Sequence, residues 1–127
     1  MMIARHIILA GVGGGLGSIA RFLCQKYVSA WYPHPFPFAT FMVNLLGCLL
    51  IGVFYGLAEK GNLLTPEWRL FLTTGICGGF TTFSSFAYEN VSLLRMGDLM
   101  YVALYVAGSV ILGIAATFGG IALIKII

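Results

Sequence analysis

The sequence predicts an all-α integral membrane protein of four transmembrane helices per subunit, and three observations lead there. The chain has 127 residues, of which 60% are hydrophobic and 9% charged, a balance that a water-exposed fold cannot carry without large apolar patches. Its mean hydropathy is +0.99. The charges also leave long uncharged stretches at 27–58, 70–88 and 99–124, each close to or beyond the roughly 20 residues needed to cross about 30 Å of hydrocarbon.

Span 1 is expected at about 3–28. Between Arg5 and Arg21 it is short, so Arg21 must snorkel or face water. Its start also resembles a secretory signal, with Arg5, an apolar run, then Ser18 and Ala20. Gly11, Gly13, Gly14, Gly15 and Gly17 suit close helix packing better than a cleaved segment. The aromatic, proline-rich run Trp31-Tyr32-Pro33-His34-Pro35-Phe36-Pro37 ends the span at an interface. Span 2 is expected at 38–58, closed by Glu59-Lys60-Gly61-Asn62. Thr65-Pro66 reads as an N-cap and first helical residue, placing span 3 at 66–96. Gly97 supplies a left-handed cap and Asp98 an N-cap for span 4, at 98–125. The whole of 1–127 reads as one four-span membrane domain.

Short connections make neighbouring spans antiparallel and put both termini on one side. Arg5, Lys60, Arg69 and Lys125 fall on that side, against Lys26 and Arg95 on the other, with Arg21 between. That is a weak bias under the positive-inside rule, so both orientations are expected to insert. The net charge of +3 is explained by these loop-end cations and does not suggest nucleic acid. Cys24, Cys48 and Cys77 sit in apolar segments without metal-ligand spacing and read as packing residues.

The informative stretch is Gly75-Ile76-Cys77-Gly78-Gly79-Phe80-Thr81-Thr82-Phe83-Ser84-Ser85-Phe86, inside span 3. Glycine is about 1 kcal/mol worse than alanine in a helix, and the hydroxyls lie where lipid favours apolar side chains. Non-helical backbone at membrane depth survives only when buried in protein or lining a wet cavity. A break here frees carbonyls and amides for an ion. The plainer alternative is that the glycines permit close packing and the hydroxyls bond back to their own helix. Phe83, Phe86 and Glu89 follow at steps of three and share a face.

Asn44 is the strongly polar group of span 2, and reads either as an interhelical bond or as a donor to a permeating anion. In span 4, Tyr105 and Ser109 share a face, with Tyr101 one turn earlier. Arg21 is expected to snorkel or to form a positive vestibule, and Glu89 to pair with it or with another cation.

At these residues the chain resembles the Fluc (CrcB-type) fluoride channel family over essentially its whole length. The markers are Gly14-Gly15-Leu16-Gly17-Ser18-Ile19-Ala20-Arg21, Thr40 with Asn44, the span 3 run with Glu89, and Tyr105 with Ser109. The resemblance implies an antiparallel dual-topology homodimer in the bacterial plasma (inner) membrane, with a broken third helix, two fluoride pores and a central structural sodium. Backbone carbonyls of Gly78 and Thr81 would hold the sodium, with Phe83 and Phe86 lining the pores. Asn44, Tyr105, Ser109, Thr40, Thr82 and Ser85 would form the polar track. Ala39 and Gly113 depart from the family pattern, which often has a glycine and a serine there.

The function this implies is passive fluoride export, and fluoride rather than another anion rests on the resemblance. The alternative is a small proton-coupled multidrug-type exporter, which needs an accessible membrane carboxylate; span 1 has none and Glu89 lies near the end of span 3. A subunit whose hydroxyls merely join helices is a third reading. No nucleophile, base and orienting group occur together, so an enzyme is not expected.

Overall fold

A computed structural model of the chain describes residues 2–61 and 63–127 and is all-helical among them. Four helical spans are long and apolar enough to cross a membrane. The first is α1 (Met2–Trp31) and the second α2 (Phe38–Glu59). The third joins α3 (Pro66–Leu70), a π-helical stretch (Phe71–Cys77), the single turn α4 (Gly78–Phe80) and α5 (Phe83–Arg95). The fourth is α6 (Leu99–Ile126).

Local chemistry accounts for the ends. α1 runs to Trp31 because Pro33 disfavours helical geometry only at the residue before it. Thr65 caps α3, accepting a hydrogen bond from the Trp68 amide at 3.2 Å, with Pro66 behind it. After α5 the Gly97 amide donates to the Leu94 carbonyl and the Asp98 amide to the Leu93 carbonyl, with Gly97 at φ 76°. This is a Schellman closure, and it turns the chain straight into α6. Asp98 occupies the N-cap position of α6, yet its side chain makes no capping bond, because the backbone closure already sets the turn. In the turn after α2, Gly61 sits at φ 67°, and Asn62 lies outside the described residues.

The spans meet through glycine. α2 packs most extensively on α6, and a Cβ at Gly120 would collide with the Leu49 carbonyl and lie 2.8 Å from the Val53 amide. A Cβ at Gly52 would collide with the Thr117 carbonyl in return. α1 packs on the third span in the same way. A Cβ at Gly13 would lie 2.9 Å from the Gly75 Cα, one at Gly17 would strike the Ile76 carbonyl, and one at Gly79 the Gly14 carbonyl. Lipid supplies no hydrophobic drive between helices, so backbone proximity and dispersion hold such crossings. Outward faces carry exposed Leu16, Ile19, Phe22, Ile111, Ile114 and Phe118, as a lipid-facing surface requires.

The two neighbouring glycines of α6 give a direct test. Gly120→Ala forces a Cβ into backbone and should cost about 1–3 kcal/mol, read as a lower melting temperature in detergent. Gly119→Ala, with nothing within 4 Å of its Cβ, should melt like the parent.

Candidate functional site

Helical geometry stops after Phe80 and resumes at Phe83. Thr81 (φ −80°, ψ 157°) and Thr82 (φ −149°, ψ 118°) are extended between them. The Thr81 amide still donates to the Cys77 carbonyl at 3.0 Å, but at Thr82 both backbone groups leave the helical ladder at membrane depth and need other partners. Asn44 supplies them from α2. Its amide nitrogen donates to the Thr82 carbonyl at 3.0 Å, while its oxygen accepts from the Thr82 amide at 2.8 Å. The Thr82 hydroxyl turns round to cap α5, accepting from the Ser85 amide at 3.1 Å. The Thr81 hydroxyl donates to the Cys77 carbonyl at 2.9 Å. Gly47 leaves room for the Thr81 methyl, which a Cβ there would strike.

These substitutions have a consequence for two carbonyls. The Thr82 amide, which in a continuous helix would serve the Gly78 carbonyl, is taken by Asn44. The Ser85 amide, which would serve the Thr81 carbonyl, is taken by the Thr82 hydroxyl. Gly78 and Thr81 thus present carbonyl oxygens without their helical donors. The glycines of the run also separate by role. Gly75 and Gly79 are needed for contact with Gly13 and Gly14, whereas Gly78 is exposed and a Cβ there would meet only the Thr73 carbonyl at 3.7 Å. Close packing explains two of the three.

Beside the interruption lies a cleft of about 340 Å³ lined by Asn44, Thr81, Thr82, Phe83, Phe86 and Ser109, among others. The Ser109 Oγ is buried with no hydrogen-bond partner among the described residues. The Phe83 and Phe86 rings lie 5.6 Å apart, and Phe83 is 78% exposed. A second cleft of about 380 Å³ includes Gln25, His34, Thr40, Ser85 and Glu89 in its lining. Thr40 and Tyr105 are fully buried and complete the link. The Tyr105 hydroxyl donates to Glu89 Oε1 and the Thr40 hydroxyl to Glu89 Oε2, each at 2.7 Å. The Tyr105 ring packs on Phe86 at 4.8 Å.

The predicted site residues therefore divide into three places. Asn44, Thr81, Thr82, Phe83, Phe86 and Ser109 share the first cleft, and Thr40 and Ser85 the second, with Tyr105 packed behind Phe86. Arg21 stands apart from both, its Nε donating to the Gly79 carbonyl at 3.1 Å. Glu89 bonds two hydroxyls and not Arg21, because each of its oxygens already has a short neutral donor. Gly113 packs against Cys48, whose Sγ would lie 3.4 Å from a Cβ there. Gln25 went unnoticed in the sequence, although it stands four residues after Arg21 and so on the same helix face; its amide donates to the Thr40 hydroxyl at 3.0 Å.

The two-bond clamp predicts a graded response. Asn44→Ala should cost roughly 1–3 kcal/mol for each Thr82 backbone group left unpaired, and Asn44→Asp, which keeps the acceptor but loses the donor, should fall between it and the parent. Thermal melting in detergent reads both.

The chain is similar to known proteins along nearly its whole length. The family model described as "CrcB-like protein, Camphor Resistance (CrcB)" matches residues 8–121. The protein named fluoride-specific ion channel FluC in Chlorobaculum tepidum is 50% identical over 125 residues, 98% of each chain. The protein of the same name in Flavobacterium psychrophilum is 44% identical over 121 residues, 95% of this chain and 98% of its own. That of Chlorobium chlorochromatii is 52% identical over 118 residues, 93% of this chain and 91% of its own. With a family match across most of its length and relatives this similar from end to end, the chain belongs to the CrcB-like family of multi-pass membrane proteins.

Proposed function

We propose that this protein is a passive fluoride-selective channel that exports fluoride from the cytoplasm across the bacterial inner membrane. The observation that carries the reading is that Ser109, whose hydroxyl is buried without a partner among the described residues, lines the cleft shared by Phe83 and Phe86. Fluoride is small and strongly hydrated, so entry into a dry site requires clustered donors. Hydroxyls and amides supply hydrogens, and phenylalanine rings present a positive edge. The names of the relatives supply the anion. In this reading Asn44, Thr82, Phe83, Phe86 and Ser109 line one part of the path, and Thr40, Ser85 and Tyr105 the next. Arg21 adds positive charge near an end of the path, where it draws anions in. A proton-coupled exporter fits less well, because both oxygens of Glu89 are engaged by hydroxyls.

The unit is an antiparallel dual-topology homodimer with two pores. Four spans enclose little space alone, and the Phe83 cleft opens on the outer face of the subunit, where a second copy completes its wall. The weak bias of Arg5, Lys60, Arg69 and Lys125 against Lys26 and Arg95, with Arg21 between, suits insertion in both directions. A central sodium suits the Gly78 and Thr81 carbonyls, since hard cations take oxygen ligands and these two have lost their helical donors. When bound, it would place a fixed positive charge near the anion path.

Proteoliposomes loaded with fluoride should release it faster than empty-lipid controls, with release following the fluoride gradient and indifferent to an imposed pH gradient. Phe86→Ile, which keeps bulk but removes the ring edge, should lower that release by at least about tenfold, equivalent to 1.4 kcal/mol. Efflux no greater than from protein-free liposomes refutes the reading. A C-terminal cysteine labelled by an impermeant maleimide in intact cells should be modified in about half of the population if both orientations insert, and in all or none of it if one does.

A further inference from the structure

We propose that Gln25 is a positioning residue of the second cleft, holding the Thr40 hydroxyl in the one orientation that donates to Glu89. The inference rests on the channel reading for its consequence, but its geometry is independent of it. Gln25 Nε2 donates to Thr40 Oγ1 at 3.0 Å, and Thr40 Oγ1 donates to Glu89 Oε2 at 2.7 Å. A hydroxyl has a single hydrogen; accepting from the amide occupies a lone pair and directs that hydrogen to the carboxylate.

A threonine hydroxyl can otherwise bond to its own chain. Thr73 donates to the Arg69 carbonyl and Thr81, at the end of α4, to the Cys77 carbonyl, each four residues back. The Thr117 hydroxyl has two acceptors within reach, the Cys48 carbonyl of α2 at 3.1 Å and the Gly113 carbonyl at 3.2 Å. For Thr40 the carbonyl four residues back is that of Phe36, which precedes α2 and already accepts from the Phe38 amide at 2.8 Å, and the Thr40 hydroxyl donates to Glu89 instead. Gln25 comes from a different span and supplies the bias that the local backbone does not.

The consequence concerns anion passage. Glu89 is the carboxylate of this cleft, and the titratable groups that face it are Tyr105 from α6 and, across the cleft, Tyr32 and His34. An anion approaching Glu89 meets like charge, and the hydrogens that can offset it are those of Thr40 and Tyr105. With Gln25 in place, the Thr40 hydrogen exchanges between carboxylate and anion. Without it, the Thr40 hydroxyl can rotate away from the carboxylate.

The test uses purified full-length protein in liposomes with Gln25→Met, Thr40→Val and the double variant, together with infrared spectra in which the Glu89 carboxylate band is assigned by its loss in Glu89→Gln. Gln25→Met should shift that band in the same direction as Thr40→Val. It should also slow fluoride efflux about threefold to tenfold, with no further loss in the Thr40→Val background, since residues acting through one contact are not additive. Gln25→Leu, a second uncharged replacement without a donor, should behave like Gln25→Met; it serves where methionine perturbs the fold. An unchanged Glu89 band, or losses that add, overturns the proposal. Absence of efflux from the parent protein refutes the channel reading alone and leaves the band to decide on Gln25.

Discussion

The amide of Asn44 is the interaction on which the site depends. Two extended residues inside a membrane span carry backbone groups that lipid cannot satisfy, and each left bare would cost several kcal/mol. Asn44 pairs with the amide and the carbonyl of Thr82 at once, as a neighbouring strand would. With Thr82 held, its hydroxyl is free to cap α5, and the next helix starts at Phe83 with both phenylalanines turned toward the cleft. The same diversion of amides leaves the Gly78 and Thr81 carbonyls without helical donors. One side chain from α2 thus prepares both a cation-type and an anion-type environment within a few residues of chain.

Such a site needs a stiff frame, and glycine provides it. The α2–α6 and α1–third span crossings bring backbones so close that Gly17, Gly52, Gly79 and Gly120 have no room for a Cβ. Arg21 and Ser18 on α1 reach the Gly79 carbonyl only because of that closeness, at 3.1 and 3.5 Å. The functional cleft lies beside these contacts rather than within them, so polar side chains can face it without loosening the bundle.

Much of this was legible in the residues. Composition alone marks a membrane protein, and three glycines followed by hydroxyls mark span 3 as unusual, because both features conflict with a continuous helix in lipid. What could not be read was pairing. A lone amide such as Asn44 must find a partner, yet the sequence does not say that it is Thr82, 38 residues away. For the same reason Arg21 was open between snorkelling, a vestibule and a pairing with Glu89, and its partner is a carbonyl. The glycine run looked uniform, and only the packing separates Gly75 and Gly79 from Gly78. Gln25 drew no notice because a single amide near a span end is ordinary until Thr40 is seen beneath it.

The central claim is that these clefts conduct fluoride passively, and the reversal potential of single channels in a planar bilayer tests it most directly. Under a fluoride gradient with chloride and pH equal on both sides, current should reverse at the fluoride equilibrium potential, about 59 mV per tenfold gradient. Adding a chloride or pH gradient should leave that potential in place. A reversal that follows protons or chloride, or the absence of any fluoride current from protein that inserts and folds, would contradict the account.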